Sequence, residues 1–309
     1  MDDPVASREQ ATGLAAVEAV RTPEERFAAL PAFGFAPRYT EWRGLRIAYV
    51  DEGEGRPLLM LHGEPTWSFL FRRVIPRARE AGYRCVAVDY PGFGRSDKPT
   101  DLEWYSYDRH TAACRHVMEL LDLRDVVLIG HDWGGPIGLR LGTEAAWRFS
   151  AFVLVDTPFF TGRQTMPPVW WQAHDYVKET PDISIGDLVR AGCAEAPAPD
   201  VLAGYEAPFH DAASKAGARA FPLRVIPRSA DLPAAKACWR TMKAMRKDQR
   251  PTLILWGESD ILFPLELGRW VAGALRREAP VVVPGAGHFL PEDRGEEVAR
   301  LVIEWLESR

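Results

Sequence analysis

Two kinds of segment alternate along the chain. Short, nearly unbroken apolar runs lie at 57–63 (PLLMLHG), 84–90 (RCVAVDY), 125–132 (DVVLIGHD), 151–157 (AFVLVDT), 252–260 (TLILWGESD) and 280–288 (PVVVPGAGH). Each closes on a Gly or a polar turn. Runs this short, apolar on both faces, suit strands of a parallel sheet buried from both sides. Longer stretches of helical pattern separate them, at about 106–122, 135–147, 264–277 and 293–307. A stretch that alternates around a Gly, 39–51 (YTEWRGLRIAYVD), predicts a hairpin ahead of the first buried strand. The rhythm is that of an α/β sheet flanked by helices. It breaks between 158 and 230, where Pro- and Ala-rich sequence carries helical patterns and no strong buried strand. The pattern therefore predicts a core domain from 1–157 and 231–309. A mainly helical cap, 158–230, is inserted after strand six, over the sheet edge where open α/β sheets bind ligands.

Composition narrows the function classes. The 309 residues are 47% hydrophobic and 26% charged, an ordinary globular balance, with net charge −5. No Lys/Arg run suggests nucleic acid or an anionic membrane as partner. No apolar stretch approaches the roughly 20 residues of a membrane span. The first ten residues, MDDPVASREQ, are acidic and lack the pattern of a signal peptide. The four cysteines, Cys85, Cys114, Cys193 and Cys238, have no metal-ligand spacing and read as buried thiols in a reducing compartment. His110, His116, His174 and His210 show no ligand spacing either. The expectation is a cytoplasmic monomer with no metal and no cofactor.

The candidate chemistry sits at strand ends. Asp132 stands in LIGHDWGGPIG, a strand followed by a Gly-rich turn and a helix start, where hydrolases with this turn carry a serine. No G-x-S-x-G occurs in the chain, which argues against a serine esterase. Glu64 follows another strand, Asp156 ends a third, and Asp260 and His288 follow two more. The order nucleophile, acid, histidine is that of an α/β-hydrolase triad. A carboxylate nucleophile suits substitution at saturated carbon. Displacement by serine would leave an ether, whereas displacement by Asp132 leaves an ester that water can cleave. His288 is then the general base on water, oriented by Asp260 or Asp156. Backbone N–H groups of Glu64 and Trp133 can hold the oxyanion that forms on Asp132.

Alkyl halides and epoxides are the two main substrate classes left. An epoxide oxygen needs an acid, for which Tyr176 and Tyr205 are present. A halide needs donors that keep their proton, and an indole N–H is donor-only. Trp133, beside the nucleophile, fits that role. One donor to an anion contributes about 1.5–3 kcal/mol, so a second is expected. An ionised Glu64 is acceptor-only and cannot supply it; Trp170 or Trp171 in the cap can. Phe159, Phe160, Phe209, Phe221, Pro222, Leu262 and Phe263 are candidates for an apolar pocket, and Pro136, in the first turn after the nucleophile, for its shaping. His62 reads as structural, and His131 carries no evident task.

HGEPTWSFLFR (62–72), DYPGFGRSDKP (89–99), HDWGGPIGL (131–139), GAGHFLPED (285–293) and RTPEERFAAL (21–30) together resemble the haloalkane dehalogenases of the α/β-hydrolase superfamily. The likeness covers nearly the whole chain outside the cap. HDWGG is shared with epoxide hydrolases; HGEPTWSFLFR is the more specific signal. It is similar to the subfamily with Glu in that turn and the catalytic acid after the penultimate strand. The resemblance implies Asp132 as nucleophile, His288 as base, Asp260 as acid, and Trp133 with one cap Trp as halide donors. It implies a small apolar halogenated substrate, with water consumed and alcohol, halide and a proton released. An epoxide hydrolase using the same triad is the alternative. A haloacid dehalogenase would want arginines beside the nucleophile, where Trp133 stands. A relative that binds without turnover would have no need of a hydrolytic base.

Overall fold

The computed structural model describes residues 17–309; the N-terminal decapeptide read above lies outside them. The main sheet contains β1 (Arg38–Trp42), β2 (Leu45–Glu52), β3 (Arg56–Leu61), β4 (Tyr83–Val88), β5 (Val126–His131), β6 (Phe149–Val155), β7 (Thr252–Gly257) and β8 (Val281–Val283). Their spatial order is β8-β7-β6-β5-β3-β4-β2-β1. β3 to β8 run parallel. β1 and β2 form the expected antiparallel hairpin, and β2 pairs antiparallel with β4. Every residue of β5 is buried, as its unbroken apolar run requires, while the edge strand β1 keeps polar residues exposed.

Helices cover the sheet. α1 (Val74–Glu80), α2 (Tyr107–Leu120) and α3 (Gly134–Glu144) lie in the first half. Between β6 and β7 come α4 (Pro168–Glu179), α5 (Ile185–Gly192), α6 (Pro199–Glu206), α7 (Ala216–Ala220) and α8 (Pro233–Met245). A π-helical turn, Phe221–Val225, continues α7. α9 (Leu265–Leu275) and α10 (Leu290–Glu307) close the chain. Local chemistry sets several starts: Ser106 and Ser184 cap α2 and α5 through their side chains, and Pro opens α4, α6 and α8. The sequence pattern did not single out α1 or α8. α8 packs on α3 and α9, so it belongs with the sheet's outer layer.

Topology positions the site. β3 leads to β4 on one side and β5 lies on its other side, so the strand order reverses between β3 and β5. The turns that leave those two strands flank a crevice at the carboxyl edge, the place where open α/β sheets bind ligands. Of the helices between β6 and β7, α4 and α5 lie over that edge, where their residues line a cavity. Their attachment reaches the site itself: the His288 N–H donates to the carbonyl of Gly192 at the end of α5, at 2.8 Å. Gly287 permits this approach, because a Cβ there would stand 2.4 Å from the same carbonyl oxygen.

A buried ion pair braces the same region. Arg72 grips Glu292 through two hydrogen bonds, of 2.5 and 2.7 Å, and the Tyr205 hydroxyl of α6 donates to Glu292 at 2.5 Å. Arg72 and Glu292 are both buried. Breaking such a pair leaves a charge without water or partner. Arg72→Met is expected to lower stability by about 3–5 kcal/mol. The double variant Arg72→Met/Glu292→Leu should recover most of that loss, read from the midpoints of urea denaturation. Equal midpoints for wild type and the single variant would deny the brace.

Candidate active site

Asp132 sits directly after β5, on a backbone held in the left-handed region (φ 48°). That geometry costs an L-residue free energy and is found where the fold imposes it. It lifts the carboxylate out of the sheet into the crevice. Glu64, after β3, donates its N–H to Asp132 Oδ1 at 3.0 Å, and the Trp133 N–H also bonds the carboxylate. Gly63 makes the close approach possible: a Cβ there would lie 2.4 Å from that of Asp132. α3 begins at Gly134, so its unpaired N–H groups add positive potential beneath the same group.

His288 and Asp260 are both buried, and His288 Nδ1 donates to Asp260 Oδ2 at 3.0 Å. Asp260 Oδ1 accepts N–H groups from Leu262 and Phe263, each at 2.8 Å. The carboxylate is thereby fixed at both oxygens. Asp156 is engaged elsewhere. Its Oδ1 accepts the N–H of Gly257 at 2.8 Å, and its Oδ2 is buried without a partner. Burial, then the nearby Asp260 charge, push its carboxyl well above the usual range. Of the two candidate acids, Asp260 is the one bonded to the histidine.

A cavity with about 790 Å³ of atom-free space, mouth included, opens above Asp132. Glu64, Asp132, Trp133, Trp170, His174 and His288 are the polar side chains on its wall; the remainder is apolar. Phe160, Pro222, Leu262 and Phe263 line it as expected. Other expectations need correction. Trp171 is 41% exposed and points away, whereas Trp170 is 7% exposed and lines the cavity. The helical period of α4 decides this, because Val169, Trp170, Ala173 and Val177 share one face and Trp171 turns to the other. Pro136 is buried under the helix start, its carbonyl accepting the Tyr107 hydroxyl at 2.7 Å, and it does not line the cavity. Phe221 stands behind the Trp133 indole, edge-on at 5.3 Å, and so supports the wall without lining it. Phe159 and Phe209 are buried outside the lining. Tyr176 is 37% exposed and Tyr205 is bound to Glu292; neither reaches the cavity.

Comparison with known proteins gives this arrangement a family. Residues 58–301 match the model of the alpha/beta hydrolase family. A haloalkane dehalogenase of Mycobacterium marinum is 38% identical over 301 residues, covering 94% of this chain and all of the relative. One from Psychrobacter cryohalolentis is 36% identical, covering 93% and 97%. The chain belongs to the haloalkane dehalogenase family. A solved structure agrees: the tetrameric haloalkane dehalogenase DpaA of Paraglaciecola agarilytica NO2 superposes with a TM-score of 0.85 at 32% identity, covering 92% of this chain and 97% of its own.

Family membership leaves individual contacts to geometry, and two further histidines gain structural tasks from it. His131 donates its Nε2–H to the His288 carbonyl at 2.8 Å, so it anchors the loop that carries His288. Burial keeps His131 neutral, its pKa held well below the ordinary value. His62 bonds the Gly63 carbonyl through Nδ1 and accepts the Tyr90 N–H at Nε2, which fixes the turn bearing Glu64. Sequence spacing gave no sign of the His131 contact, which joins residues 157 positions apart.

Burial pushes the Asp132 carboxyl up to about 6; His288 and the two backbone N–H groups pull it back down. Burial opposes a charge on His288, but Asp260 outweighs it and raises the imidazole above its ordinary value. An ionised Asp132 and a neutral His288 are both lost as pH falls, so an activity that needs both is expected to decline on the acid side. Asp260→Asn removes the charge that raises His288. The His288 ring protons, followed by NMR, should then titrate at lower pH than in wild type; an unchanged midpoint would remove Asp260 as the cause.

Proposed function

We propose that this chain hydrolyses carbon–halogen bonds in small apolar haloalkanes, with Asp132 as nucleophile, His288 as base and Asp260 as the acid that orients it. The observation that carries the reading is the carboxylate at the cavity floor. Its Oδ1 already accepts the Glu64 N–H, the Trp133 N–H also bonds the carboxylate, and the cavity wall includes Trp133 and Trp170. Among the described residues, the Trp67 and Trp256 indoles are spent on backbone carbonyls, while those of Trp133 and Trp170 are not.

The steps follow from these positions. A free Asp132 oxygen attacks the carbon that bears the halogen, and the carbon–halogen bond breaks. Trp133 and Trp170 hold the departing anion without giving up a proton. The product is an alkyl ester of Asp132. His288 Nε2 takes a proton from water, and the resulting hydroxide adds to the ester carbonyl. The N–H groups of Glu64 and Trp133 stabilise the oxyanion. Collapse releases the alcohol and restores the carboxylate; halide and a proton leave. The residues 158–230 act as the cap whose α4 and α5 close the apolar cavity. The HGEPTW turn and an acid after the penultimate strand fit the Glu-turn subfamily. Every side chain in this scheme comes from one chain, so a monomer suffices. The free thiols Cys85, Cys114, Cys193 and Cys238 fit a reducing, cytoplasmic setting.

His288→Gln should stop the reaction after alkylation. Incubation with 1-bromobutane is then expected to release one bromide per chain and add a butyl group to the peptide containing Asp132, read by mass spectrometry. Asp132→Asn should show neither. Opening of an epoxide panel without halide release would favour the epoxide hydrolase alternative. The two cap tryptophans are expected to differ. Trp170→Phe should weaken halide binding by roughly tenfold or more, the effect of losing one donor to an anion. Trp171→Phe should stay within about threefold, as for an exposed residue. Bromide quenching of tryptophan fluorescence measures both, and the reverse ranking would exchange their roles.

A further inference from the structure

The leaving halide develops a full negative charge within the cavity, and Glu64 is on the cavity wall. Its backbone N–H is 3.0 Å from Asp132 Oδ1, so the side chain springs from a residue in direct contact with the Asp132 carboxylate. The Glu64 Oε1 is buried and has no hydrogen-bond partner. An ionised carboxylate in that position would repel both Asp132 and the halide. Few other polar groups are free to serve. His174 uses Nδ1 on Asp175 and Nε2 on Arg228. His288 Nδ1 is committed to Asp260, and its Nε2 is reserved for water.

We propose that the Glu64 side chain is a third donor to the leaving halide, a carboxylic acid whose O–H acts beside the indole N–H groups of Trp133 and Trp170. The proposal rests on the dehalogenase reading above. The proton stays on Glu64 throughout; the halide leaves as the anion. The protonation this requires has a physical cause: burial, then the charge of Asp132, hold the Glu64 carboxyl well above the usual range. The groups around it work in the same direction or are silent. His62, on its own turn, is kept neutral by burial, with a pKa lowered to about 3. His288, raised by Asp260, and His174, across the cavity in α4, are the remaining titratable side chains that share the space.

The test compares wild type with Glu64→Gln, which keeps a neutral donor, and Glu64→Leu, which keeps size alone. Bromide affinity is measured by tryptophan fluorescence across pH, without substrate. Wild-type affinity should fall as pH rises, in two parts: one as His288 loses its proton and one as Glu64 does. Glu64→Gln should keep affinity near neutral pH and lose only the Glu64 part. Glu64→Leu should bind bromide about tenfold to a hundredfold more weakly at neutral pH, the effect of one donor to an anion. The infrared band of a protonated carboxyl, shifted by bromide in wild type, should be absent from both variants. Equal affinity in wild type and Glu64→Leu, or no bromide-sensitive carboxyl band, overturns the assignment while the dehalogenase reading stands. Failure of wild type to bind bromide and to release it from 1-bromobutane overturns both.

Discussion

A buried carboxylate must have its charge held by more than water. For Asp132 that holder is backbone: the N–H groups of Glu64 and Trp133 and the start of α3. The rest of the site depends on this one arrangement. It needs β3 and β5 side by side with their turns emerging together, which the parallel sheet supplies at its reversal point. It needs Gly63, because a side chain there would fill the space the Asp132 carboxylate occupies. It also needs the left-handed backbone at Asp132, a local strain sustained by packing on every side.

The backbone donors oppose the burial that raises the Asp132 carboxyl. In the ester hydrolysis proposed above they would also face the oxyanion formed on Asp132, with no reorganisation as charge develops. His288 is fixed with equal thoroughness. Asp260 holds its Nδ1, Gly192 its N–H and His131 its carbonyl. The helices between β6 and β7 are tied to it as well, because the end of α5 is hydrogen-bonded to His288 itself.

Much of this was legible in the sequence because its signals are local. Unbroken apolar runs of four to seven residues identified the buried strands, and the turn after each run marked where functional residues would emerge. Asp132, His288, Asp260 and Glu64 all lie at such ends. α1 and α8 were less legible: short or mixed in polarity, they give weak periodic signals. The choice between Trp170 and Trp171 was available in principle. Val169, Ala173 and Val177 form an apolar stripe that places Trp170 on the inner face and leaves Trp171 with Asp175 and Lys178 outside.

What the sequence by itself determined is the order of strands and helices and the carboxylate in place of serine, on which the proposed chemistry through an ester rests. These depend on residue type and spacing along the chain. What only the tertiary structure decided depends on distances between segments far apart in sequence. It separated Asp260 from Asp156, since one is bonded to His288 and the other to Gly257. It removed Pro136 and Phe221 from the cavity lining and set them behind it. It also changed the surroundings of Glu64: beside Asp132 and without a partner for Oε1, burial raises its carboxyl well above the usual range.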